Sequence, residues 1–309
     1  MTLEQVIQEM KAKPYMLRQG KGLLAKVCKC STDVILEAKR AIRSSLPTTS
    51  PAAENKVKIL ILDIETTPMQ AYVWKRWKEN ISLDQTISEW FMICWSAKWL
   101  NDDKAFGDCC TTDEMLAEDD MRICYSLWKV LNEADIVIAH NGNKFDIPKI
   151  NSRFVVHGFL PPSPYKQIDT LDVAKKNFNF SSNKLDALAG YFNIEHKNPT
   201  DFNLWKACMA GDKSALKYMF EYNIKDVEIL EKVYLRLRPW IKNHPNLATI
   251  TMADELVCPV CGKKDIIPIP GKYTGTAVSQ YQVYRCRDCY AVVRGREKIN
   301  DKVQLTTVN

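Results

Sequence analysis

The spacing of apolar residues changes twice along the chain. Residues 1–45 repeat them at helical intervals. "LEQVIQEMKA" and "KGLLAKVCKC" predict two short helices, and "STDVILEAKRAIR" opens on a Ser/Thr cap and predicts a third. "SSLPTTSPAAENK" has two prolines and no period, so residues 46–56 read as a linker. "VKILILDIE" (57–65) is a continuous apolar run, as a strand buried on both faces should be. "WFMICWSAKWL" and "KAFGDCC" predict two further strands. "DDMRICYSLWKVLNEA" predicts an amphipathic helix, "DIVIAH" a buried strand, and "IPKINSRFVVHG" a helix with Pro at its start and Gly at its end. "YKQID" reads as a short strand, and "NKLDALAGYFNI" and "KSALKYMFEYNIKDVEILEKVYLRLRPWI" as helices. Strands cluster first and then alternate with helices, which predicts an α/β fold with a mixed sheet. Residues 251–309 lose helical periodicity, gain Gly, Pro and Cys, and alternate like edge strands in "QYQVYRC" and "YAVVRGR", so they read as a separate small module.

The acidic residues contradict this apolar pattern. Asp63 and Glu65 close the first core strand, Asp146 follows the second buried strand, and Asp226 lies on the long late helix, one turn after Tyr222. Burying a carboxylate costs several kcal/mol unless it is paired or bound to metal. A lone Asp-x-Glu at a strand end is commonly a surface feature or a cap; the conjunction sets this one apart. Asp63 and Glu65, two apart on a strand, share a face, as do Tyr222 and Asp226, four apart on a helix. Convergence of these groups would make an acidic pocket suited to two divalent metals about 4 Å apart.

"DIET", "NGNKFD" and "YNIKD" resemble the three exonuclease motifs of the DEDD superfamily, the DnaQ-like 3′–5′ exonucleases with an RNase H-like fold. "IDTLDVAKK" and "NKLDALAGYFNI" share the resemblance, which covers about residues 57–240. Members with a histidine place it five residues before the last Asp. Here that position is Glu221, and Tyr-x-x-x-Asp fits the tyrosine subgroup. The chain most resembles phage-type predicted nucleases carrying the "NHPN" segment (243–246) after the last helix. The resemblance implies an RNase H-like mixed sheet flanked by helices over residues 57–245. It implies that Asp63, Glu65, Asp146 and Asp226 ligate two Mg²⁺ or Mn²⁺ ions, and that Tyr222 orients the attacking water. Thr66 and Asn141 are expected at the substrate, and Asn141 is also placed to hold Asp146. His140 reads as a satisfied structural residue. Asp169 supports the site or caps the following helix.

Two further motifs stand outside this core. Cys258-x₂-Cys261 and Cys286-x₂-Cys289, with 24 residues between the pairs, fit one structural zinc in a zinc ribbon over residues 251–309. Four thiolates close the coordination sphere, so such a site is not catalytic. "LLAKVCKCSTDVILEAKRAIR" resembles a helix-turn-helix: Ala25 fits the inter-helix contact and Ile35 packs back, although Lys29 stands where such turns usually carry Gly. Its second helix would present Lys39, Arg40 and Arg43 to phosphates; a helical docking domain is the alternative. Tyr72, Trp74 and Trp77 are interleaved with Lys75, Arg76 and Lys78. They either stack bases and grip phosphates or pack the indoles under the sheet edge.

Composition bounds the function. The net charge of +6 divides into +5 for residues 1–50, −2 for 51–250 and +3 for 251–309. Basic flanks around an acidic centre suit a polyanion held by the flanks and metal held in the centre. The other seven of the eleven cysteines are scattered among apolar residues, as in a reducing compartment. No apolar run approaches the roughly 20 residues of a membrane span, and "MTLEQVIQEMKAK" lacks a secretory pattern. The expectation is a cytoplasmic protein, in the host cell's cytoplasm if phage-encoded. Its expected partners are single-stranded DNA or RNA 3′ ends and a replication or repair protein, with no membrane. The expected activity is two-metal-ion 3′–5′ exonucleolytic hydrolysis of DNA or RNA. A structure-specific endonuclease or recombinase-like nuclease, and a non-catalytic nucleic-acid-binding protein, are the alternatives.

Overall fold

A computed structural model of the chain describes residues 1–12, 16, 21–45, 56–195, 199–253 and 255–300. Its centre is a five-stranded sheet of β1 (Ile59–Thr66), β4 (Met92–Trp99), β5 (Phe106–Cys109), β6 (Ile136–Ala139) and β7 (Lys166–Asp169), in the order β5-β4-β1-β6-β7. β1 lies in the middle, antiparallel to β4 and parallel to β6, so the sheet is mixed as predicted. The short β2 (Gln70–Ala71) and β3 (Thr86–Ser88) pair at the neck of an excursion between β1 and β4, which the apolar pattern did not mark.

The helices over the sheet are α4 (Thr112–Leu116), α5 (Met121–Glu133), α6 (Asp146–Val156), α7 (Thr170–Asn177), α8 (Leu185–Tyr191), α9 (Phe202–Met209) and α10 (Lys213–Leu237), with α11 (Leu247–Ile250) after them. Before the sheet come α1 (Leu3–Ala12), α2 (Lys21–Val27) and α3 (Thr32–Ser45). Among the described residues no helix is long and apolar enough to cross a membrane.

Alternation along β1 divides the core. Leu60, Leu62 and Ile64 pack with α5 and α6 through Ile123, Leu127, Ile147 and Ile150. Ile59 and Ile61 pack with α7, α8 and the second half of α10 through Val173, Leu188, Leu230 and Val233. Each such side chain contributes about 1.5–3 kcal/mol when fully buried. Asp63 and Glu65 continue the Ile59–Ile61 face by the two-residue period of a strand. They therefore point towards the side on which α10 runs. Its 25 residues cross β5, β4 and β1, and Asp212 caps its start by accepting from Ser214 and Ala215 amides at 2.8 and 2.9 Å.

The remaining elements are β8 (Ile266–Gly275), β9 (Gln280–Cys286) and β10 (Val292–Lys298), a three-stranded antiparallel sheet. β8 was not predicted, because two prolines and two glycines interrupt its period. The "NHPN" segment joins it to α10. Tyr234 Oη and His244 Nε2 lie 2.8 Å apart, Asn246 caps α11, and the Leu247 amide donates to Pro259 O at 2.8 Å.

Candidate active site

Each acidic residue reaches the site for a local reason. Asp63 and Glu65 arrive on β1, whose apolar residues anchor it at the sheet centre. Asp226 arrives on α10, flanked by buried Asn223 and Val227. Side-chain oxygens of Asp63, Glu65 and Asp226 all lie within 4.8 Å of one another. Three carboxylates that close repel one another strongly in a partly dehydrated setting, and a hard cation is the chemistry that relieves this. Cys94, opposite Glu65 on β4, remains a thiol: burial raises its pKa well above the usual range, and the nearby carboxylates add to this.

Asp146 takes a different position. It is the first residue of α6 and 2% exposed, and its Oδ1 accepts the Ile64 amide, between Asp63 and Glu65, at 3.2 Å. It lies beside the three-carboxylate group rather than within it. Burial pushes its carboxyl up to about 7, the Ile64 amide and its own amide pull it down, and Asp169 adds to the rise.

The loop that delivers Asp146 is tightly specified. Asn141 has φ 71°, in the left-handed region, and a Cβ on Gly142 would meet the Ala139 Cβ at 2.4 Å. Asp169 gathers this loop. It accepts the amides of Asn141 at 2.9 Å and Asn143 at 3.0 Å while capping α7 through Leu171 and Asp172. Asp169 is thus both the cap and the support weighed for it. His140 is structural, with Nδ1 at 2.9 Å from Thr170 Oγ1 and Nε2 at 3.0 Å from Asn183 O.

Tyr222 sits one turn before Asp226, buried at the edge of the core. Two residues of the site went unnoticed in the sequence. Asn223 is 0% exposed, and its Nδ2 donates to Asp63 Oδ2 at 2.6 Å. A polar residue on the buried side of an otherwise apolar helix stripe was the available signal. Lys149, one turn into α6, donates to Thr66 Oγ1 at 3.1 Å and lies 3.7 Å from the centroid of the Trp90 ring. Partial burial lowers its pKa. Thr66 therefore faces a cation, and it also lines a pocket of about 320 Å³ with Pro68, Asp201 and Trp205. Asn141 lines a separate pocket of about 630 Å³ with Leu171, Lys175 and Lys184.

The four cysteines of the C-terminal module converge. Cys258 and Cys289 Sγ lie 3.6 Å apart, as do Cys261 and Cys286 Sγ, and all four sulfurs fall within 4.8 Å. These separations exceed a disulfide bond, about 2.05 Å. They match the edge, about 3.8 Å, of a tetrahedron with metal–sulfur arms of about 2.3 Å. Sulfur contacts with Cys261 and Cys289 hold Cys258 well below the usual thiol range.

In the N-terminal helices, Leu24, Cys28, Ile35 and Ala38 form a small core with Val6 and Met10. Lys29 occupies the left-handed region, φ 48°, in the turn where Gly would be expected, and the Ser31 hydroxyl accepts the Val34 amide at 3.3 Å. Lys39 is half-buried. The side chains of Arg40 and Arg43 lie outside the described residues, as does most of the expected linker.

Residues 106–238 match the model of the RNase H superfamily. The matched range takes in Asp146, Tyr222 and Asp226 and begins after the strand that carries Asp63 and Glu65. Comparison with curated proteins returns no match. Among solved structures, the family B DNA polymerase from the hyperthermophilic archaeon Pyrobaculum calidifontis is similar at 14% identity and a TM-score of 0.42. The similarity covers 72% of this chain and 32% of that one, so the chain spans about a third of that polymerase's length. The mixed sheet with helices against it and the superfamily match agree on an RNase H-like fold.

Proposed function

We propose that the chain is a metal-dependent nuclease of the DEDD type, tyrosine subgroup, that removes nucleotides from 3′ ends of DNA or RNA. The observation that carries this reading is the convergence of Asp63, Glu65 and Asp226 within 4.8 Å. The RNase H superfamily match supports nuclease-type chemistry in general. Asp63, Glu65 and Asp226, with Asp146 beside them, would hold two Mg²⁺ or Mn²⁺ ions, since carboxylate oxygens suit hard cations. Such ions, when bound, acidify water and stabilise charge on a leaving oxygen. Asn223 fixes one oxygen of Asp63 and so its orientation. Tyr222 supplies a hydroxyl one turn from Asp226 to align the attacking water. Lys149 places a positive charge at Thr66, the residue after Glu65, and would draw a substrate phosphate there.

The flanks complete the reading. The four cysteines hold a structural zinc in a ribbon over residues 251–309, and the core spans 57–245. The helices of residues 1–45 act as a helix-turn-helix-like unit against phosphates, and residues 46–56 are their tether.

The decisive assay offers 5′-labelled linear and circular single strands with Mg²⁺ or Mn²⁺ to the wild type, Asp63→Ala and Asp226→Ala. Stepwise shortening from the 3′ end, absent on circles and in both variants, is the expected result. Cutting of circles instead marks a structure-specific endonuclease, and equal activity in all three proteins sinks the site.

A further inference from the structure

The excursion between β1 and β4 carries the most exposed aromatic side chains among the described residues. Trp74 is 93% exposed and Trp77 81%, and Tyr72 and Val73 are exposed beside them. The indoles therefore do not pack under the sheet edge. An exposed indole forgoes the burial that stabilises most tryptophans, and two within four residues form a patch that needs an occupant.

The excursion is built to hold this patch in place. At its neck Gln70 and Ala71 pair with Ser88 and Thr86. The Tyr72 amide donates to Gln85 O at 2.9 Å, and Gln85 Nε2 donates back to Tyr72 O at 3.1 Å. At its root Thr67 and Phe91 exchange hydrogen bonds: the Thr67 amide reaches Phe91 O at 2.9 Å, and the Phe91 amide reaches Thr67 Oγ1 at 2.9 Å. Trp90, on the returning limb, lies against Lys149, which itself reaches Thr66. Both limbs are thus tied to the strand that bears Asp63 and Glu65. Tyr72 stands six residues beyond Thr66, at most about 20 Å of chain away.

Charge narrows the occupant. "YVWKRWK" (72–78) alternates aromatic and basic residues and contains no acidic residue. A ligand that offers flat apolar faces and regularly spaced negative charge satisfies both halves of this pattern. Unpaired bases on a phosphate backbone do so; a duplex hides the faces of its bases within the stack.

We propose that Tyr72–Lys78 form a stacking platform for single-stranded nucleic acid. Trp74 and Trp77 stack on successive bases, and Lys75, Arg76 and Lys78 hold the intervening phosphates. The platform thereby selects single strands and leads their ends towards Asp63 and Glu65. The direction of threading rests on the nuclease reading; the binding does not.

The test measures binding in EDTA, so that nothing is cut. A labelled single-stranded oligonucleotide, the matching duplex and phosphatidylserine vesicles are each titrated with the full chain. In Trp74→Ala/Trp77→Ala the single-strand Kd rises about tenfold or more and duplex affinity is unchanged, while Trp74→Phe/Trp77→Phe keeps most of the affinity. In Lys75→Gln/Arg76→Gln/Lys78→Gln the slope of log K against log salt falls by about 2. Unchanged single-strand affinity in the alanine variant overturns the proposal. So does wild-type protein that binds the vesicles but not the oligonucleotide, which would mark a membrane-inserting loop. If the wild type cuts nothing yet the alanine variant loses single-strand binding, the nuclease reading fails and the platform stands. If the wild type cuts and the alanine variant binds and cuts single strands equally well, the platform fails alone.

Discussion

Asp120 and Asp226 are both buried carboxylates of the same sheet domain, yet what surrounds them differs. Asp120 accepts Arg153 Nε and Nη2 at 2.7 and 2.6 Å, His157 Nε2 lies 2.5 Å away, and the Met92 amide donates at 2.7 Å. Burial alone would push its carboxyl up, but these partners override that and hold it at about 2. It ties the start of α5, the end of α6 and β4 together. Asp226 instead converges on Asp63 and Glu65, carboxylate upon carboxylate. Compensated burial stabilises a fold, whereas like charges brought together cost stability and await a cation. His157 and Cys124 stand close enough to Asp120 to resemble ligands. The guanidinium already lodged on that carboxylate makes the cluster a poor cation site.

The largest test of this contrast is activity. Asp63→Ala and Asp226→Ala should lower nuclease turnover on the order of 10³-fold or more, with melting temperature unchanged or raised in metal-free buffer. A marked loss of stability in either variant would place them with Asp120. Next, Asp120→Asn should cost about 3–5 kcal/mol in urea denaturation, because it strands a buried Arg153. Third, saturating Mg²⁺ should stabilise the wild type by about 2–3 kcal/mol at a hundredfold excess over Kd. Asp226→Asn should lose that gain and Asp120→Asn should retain it, as calorimetric scans with and without the ion will show. Fourth comes pH. The folded Asp120 carboxyl lies at about 2, below its ordinary value near 4. Its contribution, roughly 2 kcal/mol, is full above pH ~4 and is lost as pH falls through ~2. Acid titration of the Asp120→Asn variant should lack that component. The smallest effect belongs to Asn223→Ala, which removes the amide on Asp63 Oδ2. About 1 kcal/mol of stability and a modest fraction of turnover should go, and Asn223→Asp should be worse than Asn223→Ala because it adds a fourth negative charge.

Legibility in the sequence followed locality. β1, β4 and β6 were readable as continuous apolar runs, α10 as a long helical period, and β9 and β10 because they alternate. β8 was not, because Pro268, Pro270 and Gly271 break its pattern while β9 supplies its hydrogen bonds. Lys29 shows the limit of residue preference. It adopts a glycine-like φ because Leu24, Cys28 and Ile35 pack the helices on either side of the turn. The exposure of Trp74 and Trp77 was undecided in the sequence, since aromatics interleaved with cations fit both a platform and a packed edge. Lys149 was invisible as a site residue, because a lysine on a helix signals nothing until its neighbour is known, whereas Asn223 was marked only by its place in an apolar helix stripe.

The amino-acid sequence by itself determined which strand would bear two carboxylates on one face, that Tyr222 and Asp226 would share a helix face, and that four cysteines would come in two pairs. Those are consequences of the fixed periods of strand and helix and of short spacings. Only the tertiary structure decided which of these groups would meet. Asp63 and Asn223 are 160 residues apart. Their contact depends on β1 lying at the sheet centre and on α10 crossing it, an arrangement set by burying Ile59, Ile61, Val227 and Leu230 together. The same fold placed Asp146 on the Ile64 amide, beside the three carboxylates rather than among them. Side-chain period is local and can be read along the chain; the crossing of a helix over a sheet is a property of the whole core.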